Sequence, residues 1–188
     1  MNKIRLILLL VITTLIYSGC VRCPNVLPYM DFNKINCTVW TNTQLPFSDT
    51  LTLNITGSEV RYLTLAKPSF NLFPMAYALS CESEGYRGLK NAVSLIEITS
   101  NQDFDSTHLA GTSLNDLFLM ELYNSEKTFV PITASNMKLI FNLAQYSLEQ
   151  RLIITTKPDS LTAHLFTIKM YISNGRFLNA TSPEVTWN

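Results

Sequence analysis

The sequence has no surplus of charge. Its 188 residues carry 14 Lys+Arg against 14 Asp+Glu, a formal net charge of zero, so the basic field that gathers nucleic acid or an anionic bilayer is missing and no nucleic-acid partner is expected. Glycine is scarce at 6 and histidine at 2, which leaves little for phosphate-cradling loops or for histidine-based metal centres. There is no G-x-S-x-G elbow and no H-E-x-x-H pair, no internal repeat and no low-complexity tract. No cofactor is expected. The chain is 47% hydrophobic and 15% charged, too apolar for a disordered polypeptide and too short for several domains.

Long apolar runs are also missing. Lys3 and Arg5 precede an uncharged run from Leu6 to Ile16, and eleven residues fall well short of the roughly 20 that span a bilayer. A positive lead, a short apolar stretch and the small residues Ser18-Gly19 form the pattern of a secretory signal cleaved ahead of Cys20. Ser18-Gly19-Cys20 resembles the lipobox of bacterial lipoproteins, although Tyr17 stands where an aliphatic residue is usual. The resemblance implies that Cys20 is acylated and anchors an exported chain to the cell envelope, facing the periplasm.

Export sets the cysteine chemistry. With Cys20 lipidated, Cys23, Cys37 and Cys81 remain, and an oxidising compartment favours one disulfide and one leftover thiol. Cys23 lies in a proline-flanked lead-in that gains most from being tied down, so a Cys23–Cys81 bridge is expected, with Cys37 buried as a small hydrophobe beside Val39 and Trp40.

The remainder reads as mainly β. Leu51, Leu53 and Ile55 alternate with Thr52, Asn54 and Thr56, the pattern of a half-buried strand. Gly57-Ser58 is read as its turn and residues 59–67 as the hairpin partner. Residues 75–81 and 92–99 read as further strands. Ser113 heads a short helix with Leu114, Leu117 and Phe118 on one face, and residues 134–146 offer Met137, Ile140, Phe141 and Ala144 at the same spacing. Residues 151–157, 163–172 and 176–187 are strand-like, with Asn174-Gly175 as a type I′ hairpin turn. The expected architecture is a two-layer immunoglobulin-like β-sandwich of about seven to nine strands with one or two short crossover helices. Residues 1–19 form the signal, 20–35 a tether and 36–188 one domain.

The stretches Ala78-Leu79-Ser80-Cys81, Gly88-Leu89-Lys90, Asp103-Phe104, residues 110–118, Phe166-Thr167-Ile168 and Asn174-Gly175-Arg176-Phe177 together resemble an uncharacterised family of Bacteroidetes lipoproteins. The resemblance implies an exported, lipid-anchored β-rich domain and assigns no catalytic residues. Three of the six aspartates, in Asp49-Thr50-Leu51, Asp105-Ser106-Thr107 and Asp159-Ser160-Leu161, resemble the O-glycosylation signal of Bacteroidetes, which makes Thr50, Ser106 and Ser160 candidate modification sites. Asp-Ser and Asp-Thr are equally common as backbone-bonding turns.

Other site candidates follow from side-chain chemistry. Asn101, Asp103, Asp105 and Thr107 space four oxygen donors by two, as calcium loops do, but Ser106 stands where the sharp turn needs glycine and Thr112 where the closing glutamate belongs. Only His108 and His164 can act as a base; His108 lies in a loop near Asp105, whereas His164 shares the parity of Phe166 and Ile168. Glu82, Glu84, Glu97, Glu121 and the aspartates are candidate carboxylates for sugar hydrolysis. Trp40, Trp187, Tyr29 and Tyr123 are candidates for a stacking platform. The leading expectation is a non-enzymatic module that binds a glycan or an envelope protein, the rival a periplasmic hydrolase of glycan or peptide.

Overall fold

In a computed structural model the chain is described over residues 28–40, 44–45, 50–63, 87–122, 128–142 and 148–188, together with Arg5. Cys20, Cys23, Cys81, Glu82, Glu84, Tyr123 and the expected strand over 75–81 lie outside the described residues. The architecture is a β-sandwich of two antiparallel sheets. The larger is built from β1 (Tyr29–Val39), β3 (Leu51–Leu63), β7 (Glu149–Ile154), β5 (Phe118–Glu121) and β6 (Phe129–Pro131), in the order β1-β3-β7-β5-β6. The smaller runs β4 (Val93–Ser100), β8 (Phe166–Ile172), β9 (Phe177–Thr181). A short parallel pair joins β2 (Gln44–Leu45) to β10 (Thr186–Trp187). One helix is present among the described residues, α1 (Ala134–Asn142), packed against β4.

Strand alternation builds the core. Phe166, Ile168, Met170 and Ile172 of β8 face Leu51, Leu53 and Ile55 of β3 and Leu152 and Ile154 of β7 across the interior, all buried. Thr167, Lys169 and Tyr171 face outward, so this strand follows the period-two reading throughout. Cys37 is a buried free thiol whose pKa burial pushes up to about 12, which keeps it protonated and inert.

Four local expectations need correction. The first strand begins at Tyr29, inside the stretch assigned to the tether. Gly57-Ser58 is no turn, because β3 runs unbroken from Leu51 to Leu63 against β1. Glycine stands at 57 because a Cβ there would lie 2.9 Å from Leu148 Cβ and 3.4 Å from Phe32 Cγ, and Gly57 N–H donates to Leu148 O at 2.9 Å. Leu114, Leu117 and Phe118 form a single turn, with Phe118 already in β5. The segment is held instead along the edge of β4, where the Asn115 carboxamide accepts from Ile98 N–H at 3.0 Å and donates to Ile96 O at 2.6 Å. That side chain blocks an open strand edge.

The fourth correction concerns the last hairpin. Gly175 alone takes positive φ, at +86°, while Gly175 N–H donates to Ile172 O and Ile172 N–H to Arg176 O. This is a three-residue loop with glycine in the left-handed position, in place of the type I′ turn. It aims Arg176 at β1, where the guanidinium meets Asp31 Oδ1 at 2.7 Å and Asn33 Oδ1 at 2.8 Å. The bond closes one side of the sandwich between β9 and β1.

Filling the space above Gly57 overpacks a contact that has no room to relax. Gly57→Ala is expected to cost about 1–3 kcal/mol without changing the fold, read as a lower urea midpoint with an unchanged denaturant slope; an unaltered midpoint would remove the close-packing explanation.

Candidate functional site

The connection from β4 to β5, residues 101–117, is the richest polar region, and its order comes from short local bonds. Asp105 Oδ1 accepts from Thr107 N–H at 2.8 Å, Thr107 Oγ1 at 2.7 Å and His108 N–H at 2.8 Å. This is an aspartate turn: one carboxylate satisfies successive backbone donors that no ladder serves. Phe104 N–H closes the loop on His108 O at 2.8 Å, and Asp103 Oδ1 accepts from Ala110 N–H at 2.7 Å.

His108 is clamped at both nitrogens. Nδ1 lies 2.8 Å from Asp105 Oδ2, and Nε2 lies 3.1 Å from Asp116 Oδ2. The Asp105 carboxylate lifts the His108 pKa above its ordinary value against a desolvation cost, and Asp116 adds to the lift. Asp105 in turn is held far below the usual carboxylate range, first by the Thr107 hydroxyl and then by His108. An imidazole engaged by two carboxylates is a cationic clasp, and it leaves no free nitrogen to take a proton from a nucleophile.

The second histidine is sealed in the interior. His164 is fully buried, with Nδ1 2.9 Å from Ser100 Oγ. Its ring stacks on Phe166 with centroids 6.0 Å apart and meets Phe104 and Trp187 edge-on at 5.7 and 5.6 Å. Burial lowers its pKa, opposed by the backbone of Ser160. The buried imidazole thus ties the entry of β8 to β4 through Ser100, and the His164 backbone pairs with the C-terminal segment through His164 N–H to Val185 O at 2.8 Å.

Between these two loops lies an open cleft of about 350 Å³, where Asp103, Asp105 and Asp159 are interleaved with Ser106, Ser160 and Thr162. Asp159 N–H donates to Phe104 O at 2.8 Å, which joins the two rims. Ser106 and Ser160, two of the three candidate glycosylation sites, are exposed on this one cleft, and Thr50 is exposed elsewhere, just ahead of β3.

The calcium-like spacing does not form a cage. Asn101 Oδ1 accepts from Leu165 N–H at 2.7 Å, Asp103 serves Ala110, Asp105 serves residues 107–108, and Thr107 donates its hydroxyl to Asp105. The four oxygens close their own loop in place of converging on one point. Among the described residues no group of three or more His, Cys, Asp or Glu gathers at metal-binding distances.

The other candidates are dispersed. Glu97 accepts from Tyr171 Oη at 3.2 Å on the outer face of the small sheet, whereas Glu121 pairs with Arg151 at 3.3 Å on the outer face of the large one. Opposite outer faces cannot share a glycosidic bond. Trp187 is core and Tyr29 is half-buried under the Arg87 guanidinium, but Trp40 is 58% exposed with the Arg151 guanidinium 4.2 Å from its ring centroid. Of the four platform candidates, Trp40 alone presents an open ring among the described residues. Sequence reading counted Asp116 only among the carboxylates and missed its pairing with His108, eight residues earlier; it missed Arg151 altogether, although that residue has the outward parity of its strand.

The two histidines set opposite pH limits. The raised His108 pKa contributes stability that is full below the unfolded value of 6.5 and lost as pH rises through its folded value. The lowered His164 pKa contributes stability that is present above 6.5 and lost as pH falls toward its folded value. His108→Ala is expected to flatten the decline of Tm on the alkaline side and, because His108 also helps hold Asp105 low, to weaken the resistance to acid that Asp105 provides; an alkaline profile identical to wild type would show that the clasp is energetically idle.

No family model matches the chain, and no curated protein matches it.

Proposed function

We propose that the chain is a lipid-anchored, non-enzymatic binding module of the bacterial cell envelope. The observation that carries the binding reading is the commitment of both histidines to structure: His108 is held between Asp105 and Asp116, and His164 is buried among three aromatic rings. A Ser-His or Cys-His nucleophile needs a histidine with an accessible, unengaged nitrogen. Cys37, buried and protonated, does not serve as the nucleophile either. What supports binding is an exposed cleft rich in hydroxyls and carboxylates, together with an exposed tryptophan on a sheet face.

The anchor rests on the N-terminal sequence. Lys3 and Arg5, the apolar run and Ser18-Gly19-Cys20 resemble the signal of an exported lipoprotein. Acylation of Cys20 would place the sandwich at the membrane surface with its loops free to meet an envelope glycan or protein. No helix among the described residues is long and apolar enough to cross a bilayer.

Expression of the full chain in a bacterial host with labelled palmitate tests the anchor. Label is expected in the membrane fraction and is lost in Cys20→Ala, and recovery of an unacylated cytosolic chain with its initial methionine would overturn it. Sugar or peptide released from purified cell-wall material, and abolished in His108→Ala, would overturn the non-enzymatic part.

A further inference from the structure

We propose that the outward face of the five-stranded sheet around Trp40, Asn54 and Arg151 binds a neutral, β-1,4-linked glycan chain. The inference rests on the binding reading above and names the ligand class and the surface that takes it.

Register places the residues in two adjoining rows. Thr38 lies opposite Asn54 and Asn54 opposite Arg151, with Glu121 reached by the ion pair. In the next row Trp40 N–H donates to Thr52 O at 2.9 Å, Thr52 lies opposite Ile153 and Ile153 opposite Leu119. Same-face rows lie two residues apart along a strand, about 7 Å, so the polar row runs alongside the indole as a strip.

Each feature selects against other ligands. One face of the Trp40 ring is stacked by Arg151, which fixes the indole and leaves its open face for the C–H surface of a sugar ring. Sugars joined through equatorial bonds present such flat apolar faces, with hydroxyls projecting sideways toward the polar row. The Arg151 charge is already answered by Glu121 at 3.3 Å, so the strip offers no unbalanced cation for an anionic ligand.

Asn54 supplies an independent sign. It is 7% exposed, its Nδ2 donates to Glu149 only at 3.4 Å, and its Oδ1 is buried without a hydrogen-bond partner. A buried carbonyl oxygen with no donor carries a free-energy cost. A ligand hydroxyl donating to Asn54 Oδ1 relieves it, the carboxamide turning toward the strip at the cost of its 3.4 Å contact with Glu149 while Arg151 stays stacked on Trp40.

Tryptophan emission separates this face from the interior, because Trp187 is 1% exposed and supplies a constant background. The full chain in a non-glycosidic detergent is titrated with cellohexaose and with chitohexaose, following emission and heat. A saturable change with at least one of them is expected, abolished in Trp40→Ala and weakened about tenfold in Asn54→Ala, the loss of one hydrogen bond. Trp40→Phe retains part of the affinity. No response to either hexasaccharide at millimolar concentration overturns the proposal, as does heat that survives in Trp40→Ala. Palmitate labelling of Cys20 reads out separately, so a failed titration with intact labelling removes the glycan and leaves the anchor.

Discussion

His164 is fully buried, and a buried histidine is tolerated only when its charge is suppressed and its polar atoms are matched or outweighed. Here Nδ1 meets Ser100, while Nε2 and the nearby Trp187 Nε1 have no hydrogen-bond partner. Each such orphan costs about 1–3 kcal/mol. Against this stand Phe104, Phe166 and Trp187, each of which would cost about 3–5 kcal/mol on truncation to alanine. Aromatic burial wins. The consequence is that β4, β8, the 101–117 loop and the C-terminal strand all meet at one apolar knot beneath the cleft.

The knot also explains how the polar loop keeps its shape. Phe104 anchors the loop from below, so the surrounding residues need only short bonds to hold their shape: Asp103 to Ala110, Asp105 to Thr107 and His108, and Asn101 to Leu165. Carboxylates consumed in this way are poor general bases and poor metal ligands. The sequence spacing that suggests calcium and the one that suggests an acid–base pair both serve loop closure.

Legibility in the sequence follows the range of the interaction. The faces of β8 and of the first half of β3 were readable because burial of one face writes itself as alternation, and the 134–142 helix because Met137, Ile140 and Phe141 share a side. Leu114, Leu117 and Phe118 mimic that helical spacing while Leu114 and Phe118 are buried from a loop and a strand, since periodicity over five residues does not separate these cases. Gly57 was misread as a turn because glycine also marks close approach, and its neighbour Leu148 is remote in the chain. Asn174 suits positive φ, yet three residues between the strands leave that conformation to Gly175 alone. The His108 clasp was half legible, through Asp105; the pairing of Arg176 with Asp31, 145 residues away, had no local trace.

That distant pairing bears on the sheet face as well. Along β1 the buried residues change parity, from Met30 and Phe32 to Ile35 and Cys37, and the cross-strand pairs skip Asn33 and Glu59. Glu59 sits there at φ +54°, a left-handed conformation that costs a non-glycine residue about 1–3 kcal/mol. Arg176 holds the opposing side of the corner through Asn33, Asp31 and the Phe32 carbonyl, and hydrogen bonds to a charged group contribute about 1.5–3 kcal/mol. The clamp and the strain are of the same size. Trp40 shares the even parity of Met30 and Phe32, so without the inversion it would point into the core. The residue that closes the seam between the two sheets thereby also sets which face of the sandwich carries its exposed indole.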